Sequence, residues 1–385
     1  MWLFRSGLVL FIYIAINVYT GIRSWALIKY FLPSFKALVF WPLYILLCYS
    51  FILISVSGLD RIRPLRQAAM YTLPAFVYFF LTLLILDAVR ICLRLLNVIP
   101  PSRIFPAAGT GIALFLTILL MIYGGFHARD IRTAHYSVTL DKNMGAPPLR
   151  LALVSDLHIG TSVDRKWTAA IVNAVNEAKP DIVCLAGDIF DNDLSIIKDL
   201  DGVAEELKRL KAPLGVYACQ GNHDSDRRSL RENATTDRIQ NFLKNAGVIY
   251  LLDEVVLVQD RFYLAGRMDA RPIGLRQARK SASELVAGLD SSLPLIFLDH
   301  QPVDFPAEEE AGADLILAGH THRGQFFPGS IATAVIYKKA GAVDYGLWRG
   351  KSAQGIVSSG AGVWGPVIRI ATNSEVAVID VRFGN

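Results

Sequence analysis

The chain has 385 residues, 53% of them hydrophobic and 19% charged, and a mean hydropathy of +0.38, which is too apolar for an ordinary water-soluble protein. Residues 1–149 carry 13 Lys and Arg against 4 Asp and Glu, whereas residues 150–385 carry 26 against 30. The formal charge of +5 therefore belongs to the first part of the chain, where basic loops suit lipid headgroups. The mildly acidic remainder excludes a nucleic-acid groove as the main business of the protein, so no nucleic-acid partner is expected.

The excess of apolar residues lies in four uncharged runs, 6–22, 37–59, 67–86 and 104–126. A membrane-crossing helix needs about 20 such residues, so these runs predict four spans and a multi-pass membrane protein. The first is the shortest, but no small-x-small cleavage site follows it, and it is read as a retained anchor. Trp2, Tyr19, Trp25, Trp41 and Tyr123 fall near span ends, where interfacial aromatics belong. The spans are read as free of embedded charge, which argues against a transport path. Basic residues near the membrane divide six against six between the two sides, so the positive-inside rule assigns the large domain to neither. Cys48 and Cys92 lie in or beside spans, Cys184 and Cys219 within apolar runs, and no disulfide framework is visible.

Residues 1–127 thus read as a membrane region, 128–148 as a linker and 149–385 as a separate domain. The linker holds a candidate strand, His135–Leu140, and ends in a Gly-Ala-Pro-Pro turn. Beyond it, strand and helix patterns alternate. Helical spacing appears over 164–178, 196–210, 230–245 and 281–289, and late strands are expected over 249–258, 262–266, 332–338, 355–359 and 375–381. Alternation of this kind predicts a layered α/β domain, and the late strands a second sheet packed on the first.

Five apolar runs in this domain end alike: LRLALVSDLH at His158, DIVCLAGD at Asp188, PLGVYACQGNHD at Asp224, PLIFLDH at His300 and ADLILAGHTH at His322. Ligands of open α/β sheets collect beyond the carboxyl ends of the strands, and here each end carries carboxylate, amide or imidazole donors. All five histidines after residue 150 belong to these clusters, whereas His127 and His135 stand at the membrane exit without companions. Asp156 and His158 alternate on one strand end and can face one ion. Asp188, after Gly187, is placed to bridge two. Asn222 offers an amide oxygen, and His300, His320 and His322 offer ring nitrogens. A set of Asp, Asn and His suits manganese, iron, zinc or magnesium rather than a thiolate zinc site. His223 is the candidate proton donor to a leaving oxygen, with Asp224 as the group that orients it.

These blocks, Asp156-Leu-His158, Gly187-Asp188, Gly221-Asn222-His223-Asp224, His300 and Gly319-His320-Thr-His322, resemble the calcineurin-like metallophosphoesterase superfamily, in order and over residues 149–385. The resemblance implies a four-layer αββα sandwich. It implies one divalent ion on Asp156, His158, Asp188 and His322, and a second on Asp188, Asn222, His300 and His320. A water bridging the two ions would attack phosphorus in line. The stretches SDLHIG (155–160), His300-Gln301-Pro302, GHTHRGQ (319–325) and Gly360–Arg369 followed by Ser374-Glu375-Val376 are similar to a bacterial membrane-associated or exported phosphodiesterase subgroup. Arg323 stands where that subgroup commonly has Gly, and either meets a substrate phosphate or reaches solvent. The implied function is a membrane-anchored phosphodiesterase or pyrophosphatase, its partners a phosphoester, lipid-linked in the fullest form of the reading, and membrane lipids. The competing expectation is a sensor or transport-associated protein whose domain binds a ligand without turnover.

Two further patterns are discounted. Gly360, Gly362 and Gly365 fit a dinucleotide fingerprint, but Pro366 and a strand-like run follow where a helix is required. The basic run Arg267–Lys280 reads as a solvated loop rather than an anion site.

Overall fold

A computed structural model describes residues 2–59, 62–142, 147–191, 194, 197–224, 232–270 and 279–384. The chain divides into two compact units, 1–124 and 125–385.

The first unit is helical: α1 (Trp2–Phe31), α2 (Ala37–Ser57), α3 (Arg63–Leu95) and α4 (Ile104–His127), whose last turn falls in the second unit. Three of these helices are long and apolar enough to cross a membrane, and α2 makes a fourth if its two halves, bent by 66° between Cys48 and Ser50, count as one span. The bend lies beyond Pro42; at the break the Ser50 hydroxyl bonds back to Leu47 O at 2.8 Å, the kind of contact that loosens a helical ladder. The expectation of charge-free spans is corrected. Helices α1 and α3 run past the first charge, and Arg23 and Asp87 are both buried, 3.0 Å apart. Tyr19 donates to Asp87 at 2.6 Å, and Arg23 donates to Pro106 O at 2.8 Å. Paired and hydrogen-bonded charges of this kind are tolerated where bare ones are not, so the uncharged runs understate the helices.

The second unit is built on two mixed six-stranded sheets. The first holds β1 (Ile131–Leu140), β12 (Ser374–Phe383), β2 (Leu149–Val154), β3 (Ile182–Ala186), β4 (Val216–Cys219) and β5 (Ile249–Tyr250), in that order. The second holds β10 (Gly346–Arg349), β11 (Gln354–Val357), β9 (Leu315–Ala318), β8 (Leu295–Leu298), β7 (Phe262–Gly266) and β6 (Glu254–Val258). The strands that precede the donor clusters are parallel within each sheet, β2 to β3 to β4 and β8 to β9. Their buried, near-continuous apolar sequences are what a sheet covered on both faces requires. Leu151, Leu153 and Ile182 of the first sheet meet Leu264, Ile296 and Leu315 of the second in one core. Helix α5 (Arg165–Glu177) covers the first sheet with Trp167, Ile171 and Val175, in the company of α6 (Leu200–Leu207) and α7 (Glu232–Asn245). On the far face of the second sheet lie α8 (Ala282–Leu285) and α9 (Phe305–Glu310), through Leu285 and Phe305. The layers are helix, sheet, sheet, helix, as the resemblance implied.

Several boundaries differ from the sequence reading. The stretch expected as a linker is folded over Ile131–Leu140: it adds the edge strand β1, parallel to β12. The single strand expected over 249–258 is two, β5 and β6, in different sheets, because Asp253 between them takes a φ of 54° and turns the chain. The strand expected over 332–338 is instead α10 (Gly329–Lys339), a helix in which no residue is buried. Its Val-Ile-Tyr run has strand propensity, which is a weak, context-dependent preference that the helix overrides. Ile196, Leu230 and the Gly145-Ala146 half of the expected turn lie outside the described residues.

Ile296 is fully buried between the sheets. Ile296→Ala should cost about 2–5 kcal/mol of stability, read as a lowered midpoint in denaturant unfolding of the detergent-solubilised chain.

Candidate metal centre

The parallel strands bring their carboxyl ends together, and the loops leaving them are pressed closer than side chains allow. A Cβ on Gly221 would lie 2.1 Å from Asp188 N, and one on Gly187, at φ 73°, would lie 2.7 Å from Gly221 N. Only glycine permits this approach. Five donor residues, Asp156, His158, Asp188, His320 and His322, take φ between 47° and 72°, a region that disfavours every L side chain. The loops hold this strain by bonding to one another: Asp156 N–H donates to Gly187 O at 3.1 Å, His158 N–H to Asp188 O at 3.0 Å and Gly319 N–H to His300 O at 3.0 Å.

Two triads result, Asp156 with His158 and His322, and Asp188 with His300 and His320; within each, the donor atoms lie within 4.8 Å of one another. His158 Nε2 and His322 Nε2 face each other at 3.0 Å, and His322 Nε2 is 3.3 Å from Asp156 Oδ1. His300 Nε2 is 3.1 Å from Asn222 Oδ1 and 3.2 Å from His320 Nδ1. Asp188 stands between the triads. Its Oδ2 is 3.5 Å from His158 Nε2 and 3.2 Å from His300 Nε2, while its Oδ1 accepts the His223 backbone N–H at 2.7 Å. All seven residues expected as ligands are therefore brought together.

Divalent ions fit this donor set. Two facing imidazole nitrogens need a cation or a proton between them, and the Nδ1 atoms of His158 and His322 are buried with no hydrogen-bond partner. His300 Nδ1 is fixed by Ala186 O at 2.8 Å, which aims Nε2 at the centre. The oxygen and nitrogen donors, with no thiolate among them, suit a hard or borderline ion.

Burial is the largest influence on the titration of these groups. It holds His158 well below its ordinary value and brings His320 and His322 down to about 4. His300 is the exception: burial lowers it, but the Asp188 and Asp156 carboxylates outweigh that and raise it to about 10. Burial would raise Asp156 and Asp188, yet the surrounding histidines keep both below the usual carboxylate range.

Asp224, expected to orient His223, has its Oδ1 accept Phe190 N–H and its Oδ2 accept Gly221 N–H, both at 2.9 Å, so the carboxylate braces the loop that carries His223. Burial and the neighbouring Asp188 charge raise it to about 7. The carboxylate beside the His223 ring is Asp191, with Oδ1 3.8 Å from Nδ1. Sequence reading passed over Asp191, although it follows Asp188 by three residues. Also passed over was the staple formed by Arg369, a fully buried side chain whose Nη2 donates to Ser359 O at 2.7 Å and Gly362 O at 2.8 Å and whose Nη1 donates to His322 O at 3.4 Å. The glycines dismissed as a dinucleotide fingerprint form this loop: Gly362 N–H donates to Asp156 O at 3.0 Å.

Arg323 lies with its guanidinium 4.3 Å from the centre of the Tyr345 ring, and its φ of 50° explains why glycine suits the position. The basic run is not solvated as expected. Arg267 is buried and Arg279 half-buried against Asp299, which adjoins His300, and against Asp304 and Glu308, while Lys280 is exposed; Arg271 and Arg276 lie outside the described residues.

The shifts give a signed expectation. His300 has a raised value, so its ion pair with Asp188 is fully present below the ordinary 6.5 and lost as pH rises through about 10. An ion arriving at neutral pH must displace that proton, whereas the other three ring donors are already neutral. Calorimetric titration with Mn²⁺, in buffers of different ionisation enthalpy, should show about one proton released and an affinity that rises up to about tenfold per pH unit. An affinity independent of pH would contradict the assignment.

The comparisons with known proteins agree with this geometry. Residues 149–324 match the model of the calcineurin-like phosphoesterase family. An uncharacterized metallophosphoesterase of Helicobacter pylori is 30% identical over 275 residues, covering 70% of this chain and 69% of its own. A zebrafish transmembrane protein with a metallophosphoesterase domain is 29% identical over 286 residues, 71% of this chain, which spans 62% of that relative's length. Phosphodiesterase YaeI of Escherichia coli is 26% identical over 183 residues, 47% of this chain and 63% of its own. With the donor blocks in place at the ends of both sheets, the chain belongs to the calcineurin-like phosphoesterase family and is membrane-associated.

Proposed function

We propose that this chain is a multi-pass, membrane-anchored two-metal phosphoesterase that hydrolyses a phosphodiester or pyrophosphate bond, with lipid-linked phosphoesters as its favoured substrates. The observation that carries the reading is Asp188 Oδ2, shared between the two triads. In this reading Asp156, His158, Asp188 and His322 hold one ion, and Asp188, Asn222, His300 and His320 the other. When bound, such a pair supplies Lewis-acid stabilisation of the phosphoryl oxygens and makes water acidic enough to attack at neutral pH.

The remaining work falls to the chain itself. The His223 ring lies 4.9 Å from the His158 ring, centre to centre, beside both triads. It is placed to pass a proton to the departing oxygen, with Asp191 holding its orientation. The buried loops keep the donor residues in place before substrate arrives, so little reorganisation accompanies the reaction. A diester or pyrophosphate is favoured because the E. coli relative is named a phosphodiesterase. A lipid-linked substrate is favoured because the domain is tethered beside a bilayer.

Ligand binding without turnover is a second reading. It has one observation in its favour, the Arg23–Asp87 pair buried among apolar helices, since charges there often mark sensing or transport paths.

The purified chain with Mn²⁺ should hydrolyse an aryl phosphodiester, and Asp188→Asn should abolish this. Retained metal binding with no turnover of any diester, monoester or pyrophosphate would favour the second reading. His223→Gln should lower kcat by about 10²–10⁴ for an alkyl leaving group and far less for a nitrophenyl one. Asp191→Asn should follow the same leaving-group pattern with KM unchanged; a uniform loss for both leaving groups would mean a merely structural Asp191.

A further inference from the structure

Helix α10 is inside out. Ser330, Thr333 and Tyr337, at i, i+3 and i+7, form its half-buried stripe, and the Thr333 hydroxyl donates to Asp344 Oδ2 at 2.7 Å. The opposite face presents Ile331, Val335 and Ile336, exposed by 56%, 49% and 61%. A helix on a globular domain normally turns its apolar stripe inward. Phe327, two residues before the helix, is 41% exposed, and Lys338 and Lys339 close its last turn. The helix follows His322 by only seven residues, so this surface borders the metal centre. Gln325 continues the border by bonding Trp364 on both sides, from Trp364 N–H at 2.8 Å and to Trp364 O at 3.0 Å. The Trp364 ring is 52% exposed and lies 6.1 Å from the His223 ring, centre to centre.

The bilayer is the occupant that this surface fits. Eleven residues, about 16 Å of helix, cannot cross a membrane, whereas a helix of this length can lie within the interface. The two lysines put positive charge at the end of the apolar face, in a domain that is acidic as a whole, the arrangement that anionic headgroups attract. Strand β1 starts opposite Ser374, at the end of the first sheet where the donor loops lie. It is reached from α4, a helix long and apolar enough to cross a membrane, and Ala128, the first residue after that helix, accepts the Ser374 hydroxyl at 2.7 Å. A Cβ on Gly125 of α4 would lie 3.6 Å from Val367 O, and three residues later Ile370 O accepts Phe327 N–H at 3.1 Å, at the entry to α10. The last turn of a membrane helix and the start of α10 thus flank one short loop.

We propose that α10 docks the catalytic unit on the bilayer, with Phe327, Ile331, Val335 and Ile336 entering the interface, Lys338 and Lys339 meeting anionic headgroups, and the metal centre opening beside the lipid surface.

The test uses the full chain with the exposed Cys92 replaced by serine; Cys48, Cys184 and Cys219 are buried. Ile336→Cys, Ile331→Cys and, as a control at the amino-terminal end of β8, Ser292→Cys are each labelled with an environment-sensitive fluorophore. Each labelled protein is reconstituted into phosphatidylcholine vesicles containing phosphatidylglycerol, with and without acyl-chain spin-labelled lipid. Probes at 331 and 336 should emit at shorter wavelength than the probe at 292, and spin-labelled lipid should quench them several-fold more. Emission like that of the 292 probe would overturn the proposal. So would an apolar emission that spin-labelled lipid does not quench, since a protein surface, such as a second copy of this chain, would then cover the helix. Neither readout involves turnover, so the docking and the phosphoesterase reading can fail separately.

Discussion

One buried carboxylate holds the catalytic unit's two triads in register. Asp188 sends one oxygen toward His158 and His300 and the other to the His223 backbone. Three strand ends therefore converge on a single side chain, and burial makes its charge expensive unless cations or protons share the space. His300 supplies that compensation with a proton of its own, which is why its affinity for that proton rises while its three neighbours lose theirs. The arrangement is electrostatically tight before any ion is considered, and it favours an ion that can take the place of the proton.

The cost of this convergence appears in the backbone. Left-handed φ values at five donor residues would each be unfavourable by about 1–3 kcal/mol in isolation. They are held because the loops bond to one another and because glycine at 187 and 221 removes the atoms that would keep them apart. Asp224 belongs to this scaffold, since its two oxygens close the loop that carries Asn222 and His223. Arg369 does the same from the opposite side, threading a buried guanidinium through the carbonyls that surround His322.

The chain enters β1 at this same end of the first sheet. Parallel pairing of β1 with β12 fixes that entry beside the donor loops, because β12 runs antiparallel to β2 and so starts where β2 ends. The exposed apolar face of α10 is the kind of surface that marks an interaction site more often than a solubility defect.

The sequence by itself determined the chemistry and the layers. Donor residues at the ends of apolar runs carry a local signal, since strand period and residue type are both visible in one dimension, and all seven expected ligands meet in the fold. Uncharged runs likewise disclosed the long apolar helices. Only the tertiary structure decided what depends on partners distant in sequence. Asp191 rather than Asp224 faces His223 because Asp224 meets Phe190, 34 residues away. The helices α1 and α3 continue past the charges that end their uncharged runs, Arg23 and Asp87, and these two pair across the unit. The run 249–258 divides between two sheets at one left-handed residue. Residues 332–338 form a helix although their β-branched sequence reads as a strand. In the first two cases a hydrogen bond or an ion pair to a remote residue settled the outcome against the local pattern.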